Sequence, residues 1–106
     1  TSSNVFMIKD NVIYTHPANN FILNGITRME LLKLFSDNNW TYKEQTFTKE
    51  DLFQADEIFT TSTTTEVVPI VSLDGVNIGG GKPGKFTKQI HKAFSDKIQK
   101  ALSLLD

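Results

Sequence analysis

The residues of this sequence best suited to chemistry are glycines, threonines and lysines. In "GGGKPGKFT", residues 79–87, Gly79, Gly84 and Lys85 fall at the G-x-x-x-x-G-K spacing of a phosphate-binding loop. Such a loop wraps backbone N–H groups around phosphates, sets its lysine on them and turns a Ser or Thr hydroxyl to magnesium. Here Phe86 stands where that hydroxyl belongs, Thr87 comes one place late, and Pro83 removes an N–H from the cradle. No repeated βαβ pattern supports a nucleotide fold. The stretch is expected to be a glycine-rich turn that leads a strand into an amphipathic helix.

Two other segments carry better anion chemistry. In "NGITR", residues 24–28, Gly25 lets backbone approach a ligand closely, and Ile26 and Thr27 then enter a helix. The first N–H groups of a helix have no intrahelical acceptor, and the helix dipole favours an anion there. Thr27 adds a hydroxyl. In "TSTTTE", residues 61–66, consecutive hydroxyls and N–H groups follow directly on a strand, where loops often carry function. Local pattern alone leaves the plain alternatives open: an ordinary N-cap at Thr27 and a polar, β-rich run at 61–66.

The remaining candidates are weaker. Between Lys82 and Lys100 there are six lysines and a single acid, Asp96. No arginine interleaves those lysines and the apolar side of the run reads as ordinary core, so a solvated helix face is expected in place of a nucleic-acid or lipid surface. His16 and His91 flank no carboxylate or cysteine at ligand spacing, so no metal site is expected. Ser62 lacks a G-x-S-x-G setting and a nearby histidine to act as base, which leaves a hydrolase triad without support.

The elements that must position these residues can be read from period and punctuation. "NVFMIK" and "VIYTH", separated by "DN", read as a hairpin, and Pro17 begins a turn. A helix follows, with Leu31, Leu32 and Phe35 on one face, Thr27 as N-cap and Glu30 completing a capping box. Asp37, Asn38 and Asn39 end it. "WTYKEQTF" alternates as a strand does, and "TKEDLFQA" is a short helix capped by Thr48 and Asp51. "DEIFTTSTTTEVVPIVSLDG" holds two β-rich runs broken near the threonines, with Pro69 marking the second as an edge strand or a bulge. Asp74–Gly75 turns the chain into "VNI". Residues 86–105 form the cleanest helix. Phe86, Ile90, Ala93, Phe94, Ile98, Ala101, Leu102 and Leu105 line one side, and Lys85, Lys88, Lys92, Gln99 and Lys100 lie towards the other. The class is mixed α and β, α+β in arrangement, with a sheet that is at least partly antiparallel.

Size and composition set the bounds. The chain has 106 residues, 39% hydrophobic and 22% charged, which suits one small domain or a piece of a larger one. A net charge of −1 gives no overall pull towards nucleic acid or membrane. The absence of cysteine fits a reducing, cytoplasmic setting. No apolar run approaches a membrane span, and the first residues show no signal-peptide pattern.

Taken together, "SSNVFMIKD…VIYTHPANNFILNGITR", "ADEIFTTSTTTEVVPIVSLDG" and "IGGGKPGKFTKQI" resemble the fold-type IV pyridoxal-phosphate aminotransferases. Within that family the likeness is closest to the D-amino acid aminotransferases. Branched-chain aminotransferases and aminodeoxychorismate lyase are similar relatives, but branched-chain enzymes usually have a G-T-A-A-type loop where this chain has Ser62 to Thr65. The resemblance implies that the chain is the C-terminal part of the family's large domain, a single partial domain over residues 1–106. It implies pyridoxal 5'-phosphate as cofactor, D-amino acids and 2-oxo acids as substrates, and a homodimer. Carried over by position, the N–H groups of Ile26 and Thr27 and the Thr27 hydroxyl hold the cofactor phosphate, with Gly25 opening the loop and Thr63 binding from the second segment. Ser62 and Thr64 line the pocket, and Leu23 packs on the pyridine ring. The Schiff-base lysine, its partner carboxylate and the N-terminal domain are expected upstream of Thr1, so the chain carries no catalytic residue of its own. It is expected to be inactive alone, with a non-catalytic module as the alternative.

Overall fold

The computed structural model describes residues 4–17, 26–61 and 66–104. Strands β1 (Asn4–Lys9) and β2 (Val12–Thr15) form the expected hairpin, with Phe6 opposite Thr15 and Lys9 opposite Val12. Asp10 and Asn11 take φ of 51° and 65°, the left-handed pair that a two-residue turn needs to match strand twist. The chain then runs through helix α1 (Ile26–Asp37) into β3 (Tyr42–Glu44), which lies parallel to β2. Helix α2 (Lys49–Phe53) leads to β4 (Glu57–Thr61), antiparallel to β1, and β5 (Val67–Pro69) closes the far side. The five-stranded sheet has the order β3-β2-β1-β4-β5. Pro69 therefore sits on an edge strand, as a residue without an N–H should. A small hairpin of β6 (Ser72–Leu73) and β7 (Val76–Asn77), turned at Asp74–Gly75, precedes helix α3 (Lys85–Ser103).

Strand alternation divides the core in two. Phe6, Ile8, Ile13 and Phe59 pack with Leu31, Leu34 and Phe35 of α1 and with Ile90 and Phe94 of α3. The Phe6 ring stacks on Phe59 at 4.8 Å and meets Phe35 edge-on at 6.0 Å. Met7 and Ile58 point the other way, to Ala55 and Ile78.

Four expectations are corrected. Thr27 is not the N-cap of α1: the helix begins at Ile26, so Thr27 is already helical. Glu30 closes no capping box, and its carboxylate instead lies 2.7 Å from Lys97 Nζ on α3. The strand expected from "WTYKEQTF" is only Tyr42–Glu44. The apolar stripe of α3 is core only as far as Ile98, because Ala101 and Leu102 are exposed, while Leu105 lies outside the described residues. The Thr48–Asp51 capping box of α2 is present in both directions.

Candidate functional site

β2 and β4 each run antiparallel to β1, and β3 runs parallel to β2. The carboxyl ends of β2, β3 and β4 therefore gather at one end of the sheet. Thr15 faces Phe6 and Glu44, and Thr61 faces Asn4. β2 ends at this end of the sheet with Thr15, and β4 ends there with Thr61. Loops at the carboxyl ends of strands, beside the helix that follows, are the customary place for a ligand in such sheets.

Helix α1 starts at this same end, held by Arg28. Its Nη2 donates to His16 O at 2.9 Å and to Glu44 Oε1 at 2.8 Å. The Arg28 side chain is 1% exposed and that of Glu44 is 45% exposed, so a buried cation meets a half-solvated carboxylate. A buried charge left without such a partner is strongly destabilising. The first turn of α1 contains no acidic residue.

Among buried hydroxyls here, Thr15 Oγ1 donates to Val5 O at 3.1 Å. Thr61 is also buried, and its Oγ1 has no hydrogen-bond partner among the described residues. Buried polar groups are nearly always paired, so this hydroxyl is an exception at the base of the threonine-rich segment. Of the sequence-derived site residues, Leu23, Gly25, Ser62, Thr63 and Thr64 lie outside the described residues. Ile26 is described by its backbone, as the first residue of α1, and Thr27 is half-buried beside it.

The glycine-rich stretch lies elsewhere. The N-terminus of α3 is stoppered by Glu57, whose carboxylate accepts from Thr87 N at 2.6 Å and Phe86 N at 3.2 Å. A Cβ on Gly84 would collide with the Glu57 side chain. Glu57 is the first residue of β4 and Thr61 the last, so this helix start is about 13 Å along the strand from the other sheet end. The free N–H groups that a phosphate would need are already spent on a side chain. Sequence reasoning missed both Glu57 and Arg28. Glu57 lies 30 residues from its partner, beyond any local pattern. The only hint for Arg28 was its place in "GITR".

Among the described residues, no group of His, Cys, Asp or Glu could hold a metal ion, and no helix is long and apolar enough to cross a membrane.

Comparison with known proteins decides the family. The pattern defining "Amino-transferase class IV" matches residues 1–73, a span that includes residues 24–28 and 61–66. The chain belongs to the class IV aminotransferases. It is 53% identical over 98 residues to the D-alanine aminotransferase of Bacillus licheniformis, covering 92% of this chain and 35% of that protein. It is 50% identical over 99 residues to the corresponding enzyme of Staphylococcus aureus strain N315, covering 93% of this chain and 35% of that protein. The chain thus spans about a third of the length of these class IV relatives. Among solved structures, the branched-chain amino acid aminotransferase of Escherichia coli superposes with a TM-score of 0.82 at 39% identity, covering 88% of this chain and 32% of that one. An aminotransferase from Brucella abortus bound to the cofactor PLP gives 0.81 at 35% identity, covering 90% and 33%. The mixed sheet with its covering helices is the fold these class IV structures share with this chain.

Proposed function

We propose that this chain is the C-terminal, phosphate-holding part of a pyridoxal-phosphate-dependent D-amino acid aminotransferase that moves an amino group from D-alanine to 2-oxoglutarate. The observation that carries the reading is the 53% identity with a D-alanine aminotransferase over 92% of the chain. The geometry supports it. The start of α1 and the end of β4 lie at one sheet end, and the unpartnered Thr61 hydroxyl fits a ligand-facing loop base. On this reading the N–H groups of Ile26 and Thr27, the Thr27 hydroxyl and Thr63 bind the cofactor phosphate. Gly25 gives the close approach, Ser62 and Thr64 line the pocket, and Leu23 packs on the ring. The cofactor, when bound, supplies the electron sink for amino-group transfer. These residues of the chain contribute binding and orientation. The lysine that bonds the cofactor and the carboxylate on the pyridine nitrogen are supplied from outside these 106 residues, in a cytoplasmic homodimer.

The test has two arms. The purified chain, incubated with pyridoxal phosphate, D-alanine and 2-oxoglutarate, is expected to form no pyruvate; sustained production would overturn the division of labour. In the enzyme that carries this chain, kcat/KM is expected to favour D-alanine or D-glutamate over L-leucine. The likeness to the E. coli branched-chain enzyme supports a second reading, and a preference for L-leucine would establish it while leaving the phosphate argument standing.

A further inference from the structure

We infer that Arg28 and Glu44 form a clamp that sets the position of the first turn of α1, and with it the donors that would hold the phosphate. The inference rests on the phosphate reading given above and adds two residues to it as positioning residues. Neither was assigned a part in cofactor binding.

The argument begins with placement. Arg28 is the third residue of α1, so its backbone belongs to the turn whose N–H groups have no intrahelical acceptor. Its side chain does not leave for solvent, as an arginine on a helix ordinarily would. It is 1% exposed and ends between His16 O, just past β2, and Glu44, the last residue of β3. One nitrogen therefore ties the helix start to two adjacent strand ends, at 2.9 Å and 2.8 Å. β2 and β3 are the strands that α1 connects, so the tie closes the crossover at its open end.

Energetics points to position over mere stability. A cation in the first turn opposes the helix dipole. An apolar side chain of similar volume would avoid that cost and fill the same space, since buried ion pairs are often replaceable without loss. What the guanidinium supplies and an apolar group cannot is direction. A planar guanidinium whose one nitrogen meets two acceptors fixes both the height and the rotation of the turn. Binding groups held within a fraction of an ångström by a supporting shell are what a small anion requires.

Electrostatics makes the idea separable from the obvious rival. If Arg28 mattered only as a positive charge near an anion, then removing Glu44 would leave that charge uncompensated and tighten phosphate binding. If the clamp matters, removing Glu44 loosens the turn and weakens binding. The two accounts differ in sign.

The experiment titrates the isotopically labelled 106-residue chain with inorganic phosphate and follows the amide signals of Ile26 and Thr27. In the unmodified chain phosphate is expected to move both signals. Glu44→Ala is expected to weaken phosphate by about three- to tenfold, less than the loss of a direct charged hydrogen bond. Glu44→Gln, which keeps an acceptor without the charge, should recover part of the loss. Ile90→Val, a core change on α3 that touches neither Arg28 nor Glu44 by any hydrogen bond, should lower the melting temperature and leave phosphate affinity unchanged. Glu44 is half-exposed, so its variants are suited to folding where Arg28 variants are not. Tighter binding in both Glu44 variants, or an unchanged affinity, overturns the clamp alone. Failure of phosphate to move Ile26 or Thr27 in the unmodified chain overturns the phosphate reading, and the clamp with it.

Discussion

Helices α1 and α3 both begin directly after a glycine, and both begin with free backbone donors by the geometry of helices. They meet that condition in opposite ways. At α3 the Glu57 carboxylate supplies the missing acceptors, and Gly84 makes room for it. At α1 the first turn carries a cation, Arg28, turned back into the fold, and no acid stands in that turn. Among the described residues, the helix start with the phosphate-loop spelling is therefore the one that a side chain fills. An anion site is defined by which donors remain available at a helix start, and glycine and lysine spacing says little about that.

The largest expected effect comes from cutting a donor at α1. In the enzyme that carries this chain, Thr27→Ala should weaken cofactor retention by about ten- to a hundredfold, the range for one hydrogen bond to a charged group. Lys85→Ala should change retention little, since its helix start is closed by Glu57. Dialysis against cofactor-free buffer, followed by quantification of bound pyridoxal phosphate, measures both. The reverse ranking would exchange the roles of the two helix starts.

Opening the stopper is the next test. Glu57→Ala removes both acceptors from Phe86 N and Thr87 N. Loss of a helix cap costs about 0.5–2 kcal/mol. A chain of this size should then melt roughly 2–16 °C lower. Cofactor retention in the enzyme should be untouched. Retention that falls along with stability would mean that the two sheet ends are not independent.

Thr61 sharpens the α1 side further. Its buried, unpartnered hydroxyl is a cost to the isolated chain, so Thr61→Val should be neutral or should stabilise by up to about 1 kcal/mol in thermal melts. If the hydroxyl serves the bound cofactor, the same change in the enzyme lowers retention. A loss of stability in the isolated chain would show that the hydroxyl has a partner after all.

Much of this architecture was legible because its signals are local. "DN" between alternating strands, the Thr48–Asp51 box, Pro69 on an edge and the stripe ending in Phe94 and Ile98 each lie within a few residues of what they determine. The errors fell where partners are distant. β3 is shorter than the alternation of "WTYKEQTF" suggests, since its three residues pair with β2 across an intervening helix. Thr27 looked like a cap because Glu30 follows at the right spacing, yet Glu30 answers to Lys97 on another helix. Glu57 and Arg28 were invisible for the same reason. The site was legible only through resemblance: "GIT" and "STT" are separated by more than 30 positions of sequence, and only sheet register brings their flanks to one end.

The smallest effect concerns the tie between the two helices themselves. The Glu30 carboxyl is held below its ordinary value of 4.5, first by the hydrogen bond from the Lys97 ammonium and then by its charge. A carboxyl lowered in the folded state adds stability that is present above the ordinary value and lost as pH falls through the folded one. The side chains are 41% and 29% exposed, so solvent screens the pair and its worth stays below about 1 kcal/mol. Glu30→Gln should therefore lower the melting temperature by a few degrees at most at neutral pH. Well below the ordinary value both proteins carry an uncharged side chain at this position, and the difference should vanish. High salt at neutral pH should shrink it as well. A difference that persists unchanged in acid would assign the effect of the substitution to packing. In that case α1 and α3 would be joined by their shared apolar core alone, and the comparison between their two starts would owe nothing to charge along their length.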